Sequence, residues 1–161
     1  MAVHKLVLND FFEEALYTLI AIHCTVEDYR LAYLLNNYLN IRLTRKSADL
    51  DYNNGKATFS IFEWEDPKYL TTWNLVFNVC KAELFQEEDY QSLFDSQEKI
   101  ITTFHLIPEY KRVNYFLKID GELDEDKEKQ IIDNILKIPQ ISTAYSIDAN
   151  QLKSKNNLIF S

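Results

Sequence analysis

Residues 15–24, ALYTLIAIHC, leave an extended chain no polar side to turn toward water. Leu16, Ile20 and Ile22 fall on one alternating face, and Tyr17, Leu19 and Ala21 on the other. Successive side chains of a strand point to opposite sides of its sheet. A run that is apolar on both sides reads as an interior strand that needs cover above and below. Thr25 follows as an expected helix N-cap, with Glu27 and Asp28 putting negative charge at the positive end of the helix. Leu31, Leu34, Leu35 and Tyr38 then repeat at the spacing of one helical face, and the helix is expected to end near Leu39–Asn40.

The rest of the chain punctuates itself. Ile41, Leu43 and Leu50 anchor an expected strand over 41–52, and residues 56–64 return as its hairpin partner. Asn53-Asn54-Gly55 between them is a turn signal, because these residues tolerate positive φ. Asp66-Pro67 marks another turn. Residues 71–81 alternate, with Trp73, Leu75, Phe77 and Val79 on one face. The pattern fades over 84–98, where Glu87-Glu88-Asp89 predicts a mobile acidic connection. Strands are expected at 99–107 and 113–119, joined by Pro108–Arg112. Acids at 122–126 followed by Ile131, Ile132, Ile135 and Leu136 predict a second helix, stopped by Pro139. Residues 141–147 form a last strand, and 149–161 read as a loosely held tail with Leu158-Ile159-Phe160 able to dock.

This is one α+β domain over 1–161, in the order β-α-β-β-β-β-β-α-β. A largely antiparallel sheet of about seven strands would carry both helices on one face. The β-α-β ends resemble pieces of ferredoxin-like or ACT-like modules, a likeness of fold that carries no function with it.

Composition narrows the chemistry. The two glycines, Gly55 and Gly121, are too few and too far apart for a phosphate-cradling loop or a dinucleotide fingerprint. Two cysteines and three histidines spread along the chain write no zinc motif, and no cofactor is implied. The net charge of −8 opposes nucleic acid and anionic membrane surfaces. No apolar run approaches the roughly 20 residues of a membrane helix. The beginning of the chain lacks the apolar run of a signal peptide, so a cytoplasmic protein with reduced thiols is expected.

No catalytic residue stands out. His23 and Cys24 are strand neighbours on opposite faces, so they cannot form a dyad with each other. Cys24 and Cys80 are expected to be packed and unreactive, and His4, His23 and His105 have no ligand spacing. The acids at Glu63, Glu65 and Asp66, and at Glu122 and Asp124–Asp126, read as solvated strand and helix ends, and Arg42, Arg45 and Lys46 as a solvated strand end. The ten Tyr and ten Phe are the more telling load, because amphipathic aromatics suit interfaces and shallow pockets.

The stretch Leu106-Ile107-Pro108-Glu109-Tyr110-Lys111-Arg112-Val113-Asn114-Tyr115 resembles the signature of the IPExxxDY family, an uncharacterised bacterial family found mainly in Bacteroidetes. Residues Tyr17–Leu39, with His23-Cys24-Thr25 leading into Glu27-Asp28-Tyr29-Arg30-Leu31-Ala32, are also similar to its members. Asn114 stands where the family pattern has Asp. The resemblance implies no activity. Because Ile107 ends one expected strand and Val113 starts the next, Pro108, Glu109, Tyr110, Arg112, Asn114 and Tyr115 form a candidate recognition loop, in which the Glu109 carboxylate either accepts N–H groups of the loop or projects to a partner. The reading leans away from an enzyme, toward a protein that interacts or builds structure by associating with itself. The alternative is an ACT-like module that binds a small molecule at a strand–helix junction.

Overall fold

The computed structural model describes residues 16–52, 55–85, 99–121 and 123–160. The strands are β1 (Tyr17–Cys24), β2 (Thr44–Arg45), β3 (Leu50–Tyr52), β4 (Ala57–Phe59), β5 (Ile61–Asp66), β6 (Thr71–Phe77), β7 (Val79–Phe85), β8 (Lys99–His105), β9 (Tyr115–Asp120) and β10 (Ile141–Ile147). The helices are α1 (Asp28–Leu39) and α2 (Glu125–Leu136). The fold is α+β, but the expected seven-strand sheet resolves differently. Six strands form the main sheet, in the order β10-β1-β9-β6-β5-β2, and β3-β4 and β7-β8 form two small sheets. Every neighbouring pair in the main sheet is antiparallel. β9 and β10 both run against β1, which lies between them, so β9-α2-β10 is a split β-α-β unit.

The doubly apolar β1 has a core on each side. Ile20 and Ile22 face α1 and α2, packing with Leu31, Leu35, Ile135 and Ile138. Leu19 and Ala21 face the opposite layer, with Phe59, Val113, Leu152 and Leu158. Fully burying a Leu or Ile stabilises the fold by about 2 kcal/mol, so the second layer contributes on the same scale as the helices.

Two layers explain where the strands break. Residues 41–52 are not one strand, because Leu43 belongs to the helix-side core and Leu50 packs against the opposite one. The chain bends at Ser47-Ala48 to reach both. Residues 56–64 divide at Ser60 for the same reason, with Phe59 on one side and Phe62 on the other. Residues 71–81 break at Asn78, and β7 then continues through Phe85; residues 86–98 of the expected connection lie outside the described residues.

Thr25 is not the cap of α1. Val26 packs on the core and its carbonyl accepts the Tyr115 hydroxyl at 2.7 Å, which leaves Glu27 in the cap position with extended backbone. At α2 the cap is Asp124, whose carboxylate accepts the Lys127 N–H at 2.7 Å. The tail is not loosely held. Leu152 and Leu158 are buried, Asn157 donates to the Leu106 carbonyl at 2.9 Å, and the Lys118 ammonium donates to the Leu158 carbonyl at 2.8 Å. That ammonium also lies over the rings of Tyr17 and Phe160, at 4.6 and 5.0 Å.

Candidate functional site

The loop singled out by sequence connects β8 to β9, and Asn78 organises it. Asn78 is fully buried at the break between β6 and β7. Its amide nitrogen donates to the carbonyls of Tyr110 and Val113, each at 2.9 Å, and its amide oxygen accepts the Ile107 N–H at 2.8 Å. Its own backbone bonds Asn114 and Leu106, both at 2.9 Å. One side chain thereby satisfies the polar groups that a reversing chain would otherwise bury without partners.

The candidate residues take their places around it. Pro108 opens a single 3-10 turn, Pro108–Tyr110, where its missing donor costs nothing. Glu109 does not accept from the loop alone. Its two carboxylate oxygens take the Ser154 hydroxyl at 2.6 Å and the Ser154 N–H at 3.1 Å, which ties the loop to the tail. Burial would push its carboxyl up, but the bonds from Ser154, with those from the N–H groups of Glu109 and Lys153, together outweigh it and hold the carboxyl below the ordinary range. Tyr110 packs on the second core. Asn114 accepts the Cys24 N–H at 3.0 Å, beside the point where the β1-β10 register shifts. Tyr115 stacks on Phe77 at 4.7 Å, and burial, then the charges of Cys24, Asp28 and Glu27, push its hydroxyl far above the ordinary value. Arg112 is exposed. Of the six candidates, four are thus joined to other parts of the fold.

The titratable groups named by sequence stay apart. Cys24 is buried, and burial, partly opposed by a hydrogen bond with the Val26 backbone, pushes its thiol up and away from the reactive thiolate. Cys80 is only partly buried and lies opposite Phe104, while His105 lies opposite Val79. His23 shares a hydrogen bond of 3.0 Å with Tyr145. His4 is outside the described residues, among which no cluster of metal-ligating side chains occurs.

A different surface carries a groove of about 980 Å³ between the C-terminal end of α1, α2 and the β5-β6 hairpin. Sites for small molecules run from roughly 300 to 1,000 Å³. Trp64 and Trp73 are directly opposed in the hairpin, their rings 5.9 Å apart, and both line the groove. The Trp73 indole N–H is taken by the Thr71 hydroxyl at 3.2 Å. At the hairpin tip Tyr69 carries two ammonium groups over its ring, Lys127 of α2 at 3.8 Å and Lys68 at 5.1 Å. Leu70 beside it is 88% exposed and holds φ at 52°. That left-handed conformation costs a branched side chain about 1 kcal/mol or more. Gly121 closes the end of the groove with φ at 119°, where an added Cβ would come within 2.8 Å of the Thr71 methyl. Of the acids noted in sequence, Asp66 accepts the Lys68 N–H at 2.9 Å and Glu63 accepts from Lys46 and Asn74, at 3.3 and 3.2 Å.

Sequence reasoning named Arg42 and Trp73 but placed neither in a site. The register that opposes Trp64 to Trp73 across Asp66-Pro67 was the available signal.

No family model, no curated protein and no solved structure matches this chain. Its function is therefore argued from its own surfaces.

Proposed function

We propose that the protein is a non-enzymatic interaction protein that associates with a second copy of itself through the free edge of β10. The observation that carries this reading is the contrast between the two edges of the main sheet. β2 is two residues long and contains Arg45, which pairs with Asp28 and Asp49; an edge that is short and charged is poor at recruiting another strand. β10 is seven residues long, holds no charged residue and no proline, and among the described residues pairs with β1 alone. Its outer edge offers a row of backbone donors and acceptors. Antiparallel pairing of two such strands about Ala144 sets Thr143 of one copy opposite Tyr145 of the other, an uncharged and self-complementary ladder with two-fold symmetry. Such pairing extends the sheet across both copies without opposing like charges in a chain of net charge −8.

Sedimentation equilibrium between 1 and 100 μM tests this reading. The expected species at high concentration has twice the mass of one chain, and Thr143→Lys returns it to a single chain with an unchanged circular dichroism spectrum. A parent protein that sediments as one chain throughout contradicts it.

A second reading, a small-molecule-binding module, is favoured by one specific observation. The groove lies where two helices meet a hairpin, and its lining brings Trp64 and Tyr69 together with Arg42, Lys68 and Lys127.

A further inference from the structure

We propose that the groove between α1, α2 and the β5-β6 hairpin binds an organic anion with a flat aromatic body and a carboxylate, phosphate or sulfonate head. The proposal rests on the second reading above and names the class of ligand for that site.

The charge of the groove is opposite to the charge of the protein. The whole chain carries −8, yet Arg42, Lys68 and Lys127 outnumber Glu65 and Asp66 along the groove. The ion pairs among the described residues that involve Arg45, Lys46 and Lys118 satisfy those cations elsewhere. Lys68 and Lys127 instead converge on one ring, within 5.1 and 3.8 Å of its centre. Both therefore sit within about one Debye length of each other, close enough for one anion to relieve their mutual repulsion. A ring face partly offsets an ammonium charge but supplies no hydrogen-bond acceptor, so an ammonium held there keeps N–H groups for a ligand oxygen.

The body of the ligand follows from the floor. Trp64 is half-buried and offers its ring to the groove, backed by the buried Trp73, whose indole N–H is already bonded to Thr71. Leu70 is held nearly fully exposed at the rim in a conformation a leucine avoids. A flat apolar ligand seated on Trp64 would cover it. The nearest carboxylate on the hairpin turn, Asp66, is directed back to the Lys68 backbone at 2.9 Å, so one of the two acids is engaged within the turn.

The test uses the full chain and two fluorescent probes of the same aromatic shape, 8-anilinonaphthalene-1-sulfonate and the uncharged N-phenyl-1-naphthylamine. The sulfonate is expected to bind saturably at one site, with energy transfer from tryptophan, and at least tenfold more tightly than the neutral probe. The double variant Lys68→Gln, Lys127→Gln should weaken the sulfonate about tenfold and leave the neutral probe unchanged, and Trp64→Ala should weaken both. Near-ultraviolet circular dichroism that matches the parent verifies that each variant is folded. Equal affinity for the two probes, lost on Trp64→Ala, overturns the anion class while leaving a ligand groove. Saturable binding of neither probe overturns the proposal together with the reading it rests on.

Discussion

The loop at 106–115 and the groove at the 64–73 hairpin both combine aromatic and charged side chains, and they use those residues in opposite ways. In the loop, the Asn78 amide, the Glu109 carboxylate, the Asn114 amide and the Tyr115 hydroxyl each meet a protein partner between 2.6 and 3.1 Å away. In the groove, two ammonium groups share one tyrosine ring, the half-buried Trp64 lies against the buried Trp73, and Leu70 holds a left-handed backbone at 88% exposure. A motif-like run of residues is thus consumed in joining one part of the fold to another. The groove instead gathers aromatic and cationic side chains with few bonds to distant parts of the fold, which is why the proposed ligand is placed there. The contrast makes distinct predictions for substitutions on either side.

The largest effect is expected at Asn78. Asn78→Ala leaves the Ile107 N–H and the Val113 carbonyl buried without their partner, while the Tyr110 carbonyl keeps the Val113 N–H at 3.1 Å, at a cost of about 3 kcal/mol in total. The melting temperature should fall by about 10 °C, measured by circular dichroism. A fall of less than about 2 °C would mean that the loop is not held from within.

Glu109→Ala should cost about 1 kcal/mol, or about 3 °C, because the carboxylate is exposed and solvent screens its bonds to Ser154. Its folded pKa is depressed, so its contribution is present above the unfolded value of about 4.3 and is lost as pH falls through the folded value. The gap between parent and variant should therefore be full at pH 7 and close in acid. A gap that is constant with pH would separate Glu109 from the tail.

The smallest effect has the opposite sign. Asn tolerates positive φ better than Leu, so Leu70→Asn should raise stability by up to about 1 kcal/mol. A lower melting temperature would show that Leu70 packs in the free protein, which would weaken the contrast.

Much of the frame was legible in the chain. The unbroken apolar character of 15–24 marked an interior strand, and β1 has strands on both edges and a core on both faces. The spacing of Leu31 and Leu35, and of Ile131 and Ile135, marked the helix faces that pack on the sheet. Alternation could not reveal that Leu43 and Leu50 serve different layers, because one strand and two short strands share a periodicity of two. Nor could it reveal Asn78, which sits in an alternating run and reads as a wet position until the loop folds back over it. Lys118 lies in the run YFLKID, where a lysine reads as exposed; only the returning tail supplies the Leu158 carbonyl and the Phe160 ring that bury it. The groove needed the approach of α2 to the β5-β6 hairpin, a contact between distant parts of the chain.

A nitrogen–proton correlation map of the labelled protein, titrated with 8-anilinonaphthalene-1-sulfonate, compares both regions in one measurement. The account predicts shifts at both tryptophan indole signals, at the amides of 64–73 and at Lys127–Asn134, with 106–115 unmoved. Shifts centred on 106–115, with the tryptophan signals still, would contradict it.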